Sequence, residues 1–202
     1  LDWLALRASA SRGFRAPSLS ENSASTMISY GSVIDPYDPD LPNSRQSPTF
    51  FTVGNTGLDP ERTRSYNVGL VVSPRADTSL SLDWYRIELD NLIGTNNTTT
   101  IVQANDPADV IRDSRGKLVA VYNRYQNLST LKTSGLDAEF NQTVRTAAGD
   151  FRITSVYTHV LDYSRPQVVG GPLVDYAGSN LGPSLPRNKL TSRFGWSIGD
   201  FE

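Results

Sequence analysis

Apolar and polar side chains alternate along six stretches of the chain, and a period of two residues is typical of β-strands with two different faces. In the clearest stretch, Tyr66 and Val68 lie on one face, whereas Ser65 and Asn67 lie on the other. The pattern therefore predicts an all-β protein. The six predicted strands cover residues 2–12, 65–72, 79–84, 133–141, 151–163 and 188–198.

The connections between these strands alternate between long and short. Long polar loops are predicted over 13–61, from 95 onwards and over 164–186, and short turns over 73–77 and 147–150. A third short turn is expected at Gly199-Asp200. Pro74 cannot donate to a strand ladder, so the second strand is predicted to end there. The repeated prolines between 36 and 42 argue against a helix or a central strand, and the first long loop is predicted to lack regular structure.

The second long loop carries the signals of one short helix, predicted at about 107–114. Asp106 suits the N-cap, Pro107 suits the first helical position, and Gly116 suits the end of the helix. A further short strand is predicted over 118–123, where apolar residues return.

Composition narrows the classes of protein that the strands could build. The 15 glycines, 12 prolines and 38% hydrophobic residues are typical of a turn-rich β protein. A net charge of −2 gives no support for nucleic-acid binding, and the absence of cysteine excludes disulfides and thiolate zinc sites. No run of 18 apolar residues is present, so no membrane helix is expected. Amphipathic strands suit either a membrane barrel or a soluble sandwich.

Three motifs in order resemble those of TonB-dependent outer-membrane receptors. The segment LDPERTRSYNVGL at 58–70 is similar to the family signature NxxLxPExSxxxxxG, and RGFRAPSLSE at 12–21 is similar to RGFRAPSxxE. The segment DWYRIELDNLI at 83–93 resembles the strand DYYxIxIxxxI. Residues 110–118, 125–128 and 133–139 and Leu185-Pro186-Arg187 continue the resemblance, which covers nearly the whole chain.

The resemblance implies an antiparallel meander that forms part of a large transmembrane β-barrel, with long extracellular loops and short periplasmic turns. Residues 1–202 would be a partial barrel domain, without the signal peptide, TonB box, plug domain and terminal strand. The implied function is energy-coupled uptake of a ferric siderophore, cobalamin, saccharide or similar nutrient across a Gram-negative outer membrane. The implied partners are the plug, the inner-membrane TonB complex, membrane lipid and a small nutrient. No enzymatic activity, cofactor or metal is expected.

Charged residues at the ends of the first long loop are candidates for the barrel interior. The resemblance implies that Arg15 and Glu61 face the lumen near the plug, and Arg12 and Arg64 are assigned to the same group. Asp137 and Glu139 share the polar face of the fourth strand. These side chains could contact the plug, or they could form an ordinary charge network that lines the wall.

Aromatic residues in or beside the long loops are the candidate ligand contacts, because binding residues concentrate on loops held by a rigid scaffold. Half or more of them are expected only to pack the loops together. They are Tyr30, Tyr37, Phe50, Phe51, Tyr122, Tyr125 and Tyr176. Trp3, Trp84 and Trp196 fit the aromatic girdle of a membrane barrel.

Other candidate chemistry is weak. Asp35, Asp38 and Asp40 could bind calcium, but the intervening prolines depart from the EF-hand pattern, and a solvated loop is expected. His159 is the only histidine, and no GxSxG elbow accompanies it, so no catalytic role is assigned. A plugless porin-type barrel and a soluble β-sandwich that binds carbohydrate or protein remain the alternatives, and an enzyme is a third.

Overall fold

The structure is a computed structural model that describes residues 3–168, 170–180 and 185–198. Most of these residues lie in strands, with one short helix. The strands are β1 Leu4–Arg15, β2 Thr26–Tyr30, β3 Val33–Asp35, β4 Ser44–Gln46, β5 Thr49–Val53, β6 Glu61–Arg75, β7 Thr78–Asp90, β8 Ile93–Gly94, β9 Val110–Arg112, β10 Leu118–Arg124, β11 Gln126–Asn127, β12 Leu131–Thr146, β13 Gly149–Pro166, β14 Leu173–Asp175 and β15 Asn188–Ser197, and the helix is α1 Thr98–Ala104.

Six long strands form the main antiparallel sheet in the order β1-β6-β7-β12-β13-β15, and β14 pairs with the far end of β13. These are the six strands that the alternation predicts, and the all-β antiparallel fold is confirmed. Among the described residues, β1 and β15 end the sheet, which is not closed.

Both short turns lie at the same end of this sheet. The turn between β6 and β7 contains Ala76 and Asp77, and the prediction that Pro74 ends β6 is wrong. β6 runs on to Arg75 because a register shift between Val72 and Arg75 accommodates the proline, as a bulge does. The expected turn at Gly199-Asp200 lies outside the described residues.

Cross-strand register gives the sheet one apolar and one polar face. Val68 pairs with Ala8 and Trp84, and Trp84 pairs in turn with Leu136. Many of the large apolar side chains on this face are solvent-exposed. An apolar face left uncovered by the described part of the chain is what the lipid-facing side of a barrel wall requires.

The long loops fold into a layer of their own at the opposite end. Strands β2, β5, β10 and β9 form a second sheet, in which β5 and β10 are parallel, and β3 pairs with β4. The prediction that residues 13–61 lack regular structure is wrong, since the prolines lie between the strands and the β-prone run TFFTV at 49–53 pairs with both neighbours. We call residues 16–60 and 91–130 the loop layer.

The helix of the loop layer lies earlier than predicted. It spans Thr98–Ala104, and Asn97 caps it by accepting a hydrogen bond from the Thr99 backbone N–H. The prediction at 107–114 is wrong, because Asp106 and Pro107 form a turn and Val110–Arg112 pairs with β10. Within the described residues, no helix is both long and apolar enough to cross a membrane.

A small hydrophobic core holds the loop layer together. Val102 of α1 and Val121 of β10 are its most buried members, and Phe50 packs against it. The other members are Val33, Ile101, Val110 and Leu118. The loops therefore form an ordered platform at the end of the sheet.

Candidate functional site

A buried ion pair joins the two halves of the loop layer. Arg112 donates two hydrogen bonds to the Asp35 carboxylate, at 2.7 and 2.8 Å. The Asp35 side chain is fully buried, and that of Arg112 is 17% exposed. The guanidinium hydrogen bonds, helped by the Tyr37 backbone N–H, lower the pKa of Asp35 below its usual value. The carboxylate is therefore a fixed anion that positions the first long loop.

Asp38 is held in a similar way. Lys117 Nζ donates to both of its carboxylate oxygens, at 2.9 and 3.0 Å, and also lies 2.8 Å from Asp40. The Lys117 hydrogen bonds lower the pKa of Asp38. The expectation of a solvated loop is wrong for Asp35 and Asp38, which are buried, because cations from the second long loop neutralise them.

Of the candidate ligand contacts, Tyr30 is the most accessible. Its side chain, at the end of β2, is 85% exposed, and Met27 and Ile28 on the same strand are exposed as well. Sequence reasoning missed Met27 and Ile28, although their position in a β-prone run beside Tyr30 could have indicated them. Tyr37 is half exposed, donates its hydroxyl to the Gln103 carbonyl at 2.9 Å and lies against the Arg112 guanidinium.

The other aromatic candidates serve mainly as packing. Phe50 packs against the core of the loop layer, and Phe51 stacks on Tyr122 with ring centroids 4.8 Å apart. Tyr125 is half-buried and bonds through its backbone to Val53. Tyr176 is only 6% exposed and lies in the third long loop, so its ring is closed to solvent. The structure thus leaves Tyr30 and Tyr37 as the exposed rings of the set.

An ion pair that the sequence did not indicate crosses the polar face. Arg7 of β1 donates two hydrogen bonds to Asp83 of β7, at 2.9 and 2.5 Å, and passes over Gly69 of the strand between them. A Cβ at Gly69 would lie 2.1 Å from an Asp83 oxygen and 2.7 Å from Arg7 Nε. Arg7 and Asp83 meet only because β1, β6 and β7 pair in this register. No local sequence motif indicates their contact.

Arg15 and Glu61 meet at the loop end of the polar face. Arg15 donates to both Glu61 oxygens, at 2.7 and 2.9 Å, and also to Glu21 at 2.9 Å. Glu61 accepts a further hydrogen bond from the Ile93 backbone N–H at 2.8 Å. The pair ties the β1–β6 edge to the loop layer, and its contact with a plug stays a prediction.

Arg12 and Arg64 do not lie on the polar face. In the pairing of β1 with β6, Ala10 stands opposite Tyr66 and Arg12 stands opposite Arg64. Each arginine lies two residues from Ala10 or Tyr66 on its own strand, so it shares the face of that residue. The register does not support an interior position for either residue, because strict alternation places both on the apolar face beyond the last apolar row.

Asp137 and Glu139 do lie on the polar face. Asp137 accepts a hydrogen bond from the Thr158 hydroxyl at 2.7 Å, and Glu139 accepts one from the Asn141 amide at 2.7 Å. Each carboxylate thus has its own neutral partner on the sheet. This arrangement suits residues that line a polar wall.

The tryptophans divide between two positions. Trp196 donates to the Ala148 carbonyl at the short-turn end and stacks on Phe151, and Trp3 also lies near a short turn. Trp84 lies at mid-strand between Val68 and Leu136, which is not a girdle position. His159 bonds to the Asn188 side chain at 2.7 Å and has no nucleophile among its described contacts.

The family of the chain is decided by a match along its whole length. The family described as "TonB dependent receptor-like, beta-barrel" matches residues 1–202. The chain belongs to this family. A comparison with curated protein sequences gives no match.

Solved structures of receptors have the same fold. The siderophore receptor PirA from Acinetobacter baumannii is 16% identical to this chain, with a TM-score of 0.61. The match covers 99% of this chain and 25% of the receptor. A mutant ferric enterobactin receptor from Pseudomonas aeruginosa, in complex with enterobactin, is 20% identical with a TM-score of 0.61, and 99% of this chain covers 24% of it. A double mutant of the hemophore receptor HasR from Serratia marcescens, in complex with its hemophore and heme, is 19% identical to this chain, with a TM-score of 0.54. The match covers 99% of this chain and 28% of that receptor.

The chain therefore spans about a quarter of the length of these receptors. The resemblance that the motifs indicate is confirmed, and so is the barrel fold class. Neither the porin-type barrel nor the soluble sandwich finds support among the comparisons.

Proposed function

We propose that this chain forms part of the wall and extracellular loops of a Gram-negative outer-membrane receptor that imports a scarce nutrient with energy from the TonB complex. The observation that carries the proposal is the division of the molecule into two parts. One is an amphipathic wall with an uncovered apolar face, and the other is an ordered loop layer at one end of it. A plug inside a larger barrel would face the polar side, beside Arg15, Glu61, Asp137 and Glu139.

An iron complex is the proposed class of nutrient. The similar structures named above include receptors for a siderophore, for ferric enterobactin and for a heme-carrying hemophore. Such ligands are large and partly aromatic, and an exposed ring can contact them with little loss of conformational entropy. Cobalamin and saccharides are the competing classes.

The proposed contact surface is the exposed edge of the loop layer around Tyr30. Its ring projects from β2, whose partner β5 is fixed on its other side by β10. Tyr37 adds a second exposed ring on a segment that the Asp35–Arg112 pair holds in place. Phe50, Tyr122 and Tyr125 are proposed to support this surface rather than to touch the ligand.

Uptake by cells that lack the gene tests the proposal. Radioactive ferric enterobactin, heme, cobalamin and a maltooligosaccharide would be compared in wild-type, deletion and complemented strains, with and without a functional TonB. We expect TonB-dependent loss of uptake for an iron complex. Unchanged uptake of all four probes on deletion, or uptake that persists without TonB, would contradict the proposed function.

The contact surface is tested by Tyr30→Ala in the complemented strain, with Tyr66→Ala as the matched control. Tyr66 is an exposed tyrosine on the apolar face of the sheet, remote from the loop layer. We expect about a tenfold weaker apparent affinity for Tyr30→Ala, as for a contact worth a little over 1 kcal/mol. Tyr66→Ala should retain the wild-type affinity. If both variants weakened the affinity equally, the assignment of Tyr30 as a ligand contact would be contradicted.

A further inference from the structure

Three arginines lie together on the apolar face of the sheet, where its apolar rows end. Going up β6 from the short turn, the outward residues are Val72, Leu70, Val68 and Tyr66, followed by Arg64 and Arg62. Arg12 of β1 stands opposite Arg64, and Phe14 stands opposite Arg62. We call Arg12, Arg62 and Arg64 the arginine patch.

The position of the patch corresponds to one boundary of the membrane. Eight residues separate Val72 from Arg64, which is roughly 27 Å along a strand at 3.4 Å per residue. At the usual strand tilt this is roughly 20 Å across the membrane, close to the apolar band of about 25 Å in such barrels. The patch lies towards the loop layer, so it corresponds to the outer, extracellular boundary.

The charges of the patch are only partly neutralised by protein. Arg64 donates to Asp90 at 2.6 Å and has Glu88 at 3.7 Å. Arg12 and Arg62 are exposed, and neither makes a side-chain hydrogen bond or ion pair with the described part of the chain. Like charges directly opposite each other on neighbouring strands are destabilising, and Arg12 and Arg64 have this arrangement.

We propose that the arginine patch binds the phosphate groups of an anionic lipid in the outer leaflet. Guanidinium groups form paired, charge-assisted hydrogen bonds with phosphate oxygens, and a phosphate between Arg12 and Arg64 would relieve their repulsion. The exposed ring of Phe14 and the apolar rows below the patch give acyl chains a surface to pack against.

The surroundings favour a lipid over a free anion. The groove at the patch has three cations, the Phe14 ring and one carboxylate in its wall; it is lined by Arg12, Gly13, Phe14, Pro60, Arg62, Thr63, Arg64 and Asp90. A free phosphate would use only the arginines, whereas an anchored phosphate also holds its chains against the apolar rows. The proposal rests on the proposed location of the protein in the outer membrane.

Binding of a phosphorylated lipid by the intact protein tests the site. The protein would be purified in detergent, and its affinity for bisphosphorylated lipid A would be compared with that for the dephosphorylated form. The test variant is Arg12→Gln/Arg62→Gln, which removes the two cations without a partner among the described residues and keeps the Arg64–Asp90 bond. The control is Arg75→Gln/Arg115→Gln, which removes two other exposed arginines, one near a short turn and one in the loop layer.

We expect the test variant to bind bisphosphorylated lipid A about 30-fold more weakly, since each basic side chain near an anionic surface contributes about 1 kcal/mol. The control should bind as the wild type does. Wild-type affinity in the test variant, equal binding of the dephosphorylated lipid, or full competition by millimolar inorganic phosphate would overturn the proposal.

Cell fractionation separates this failure from that of the proposed function. Absence of the wild-type protein from the outer membrane would contradict the proposed function and remove the basis of the lipid site. A protein that is present in the outer membrane and active in uptake, but indifferent to the lipid phosphates, would overturn only the lipid site.

Discussion

The carboxylate of Asp35 and the guanidinium of Arg112 form two parallel hydrogen bonds between loops that lie 77 positions apart in the chain. Arg112 also donates to the Gly116 carbonyl and to the Asn105 side chain, and its face lies against the Tyr37 ring. A paired charge with this many partners fixes the geometry of both loops, because each partner restricts the same side chain.

Replacement of Asp35 by asparagine should open the loop layer. The variant leaves the largely buried Arg112 without its counter-charge, and breaking a buried pair costs about 3 kcal/mol at the lower end of the usual range. The cost lies at the lower end because the Arg112 side chain keeps 17% exposure and can be partly solvated. Hydrogen exchange of β3, β9 and β10 should accelerate, while exchange in the main sheet should not change.

The matched control is Asp40→Asn. Asp40 also pairs with a cation, Lys117, but its side chain is 79% exposed. Solvent screens such a pair, so its loss should change the stability of the loops very little. If both variants accelerated exchange equally, the Asp35–Arg112 pair would not be what holds the loops together.

Acid should loosen the loop layer before it affects the main sheet. Arg112 lowers the pKa of Asp35, and Lys117 lowers that of Asp38, so both carboxylates ionise more readily in the folded loops than in unfolded ones. Their contribution is complete near pH 7. It declines as the pH falls below about 4, where the unfolded carboxylates take up protons first, and it is gone once the folded pKa values are passed.

Protection factors corrected for intrinsic exchange would measure this decline in the loop layer. In the double variant Asp35→Asn/Asp38→Asn, the protection factors of the loop layer should be lower at pH 7. Their change between pH 5 and pH 2 should be smaller than in the wild type. A slope equal to that of the wild type would mean that other groups titrate.

Gly69→Ala should weaken the wall. The added methyl group would enter the space that the Arg7–Asp83 pair occupies, with contacts of 2.1 and 2.7 Å. Displacing hydrogen bonds between charged groups should lower the thermal unfolding midpoint of the protein in detergent. Gly13→Ala on β1 is the control, because a Cβ there meets nothing within 4 Å.

The wall could be predicted from the sequence because each strand carries its own evidence. Leu136 and Asp137 differ in polarity whatever lies beside them, and alternation alone assigns their faces correctly. The same rule would have placed Arg12 and Arg64 with the apolar residues. Their place at the ends of the first long loop led instead to an assignment to the interior, which the strand register does not support.

The loop layer could not be predicted in this way. The burial of Asp35 depends on Arg112, which is distant in sequence, and nothing near Asp35 indicates that it has a partner. The helix was misplaced because Asp106-Pro107 suits a turn as well as a helix start, and the pairing of Val110 with Val121 decides between them. Long-range pairing, rather than local propensity, determines this part of the fold.

An arginine at Leu136 should be far more harmful than one at Asp137. Leu136 lies on the apolar face between Trp84 and His159, well away from the short turns, and Asp137 lies on the polar face beside Thr158. A charge on the lipid side near the midplane costs about 2–4 kcal/mol, whereas a polar wall tolerates charge. Unfolding of the intact protein in lipid vesicles by guanidinium would measure both variants. A cost at Leu136 no larger than that at Asp137 would reverse the assignment of the two faces, and with it the position of the arginine patch.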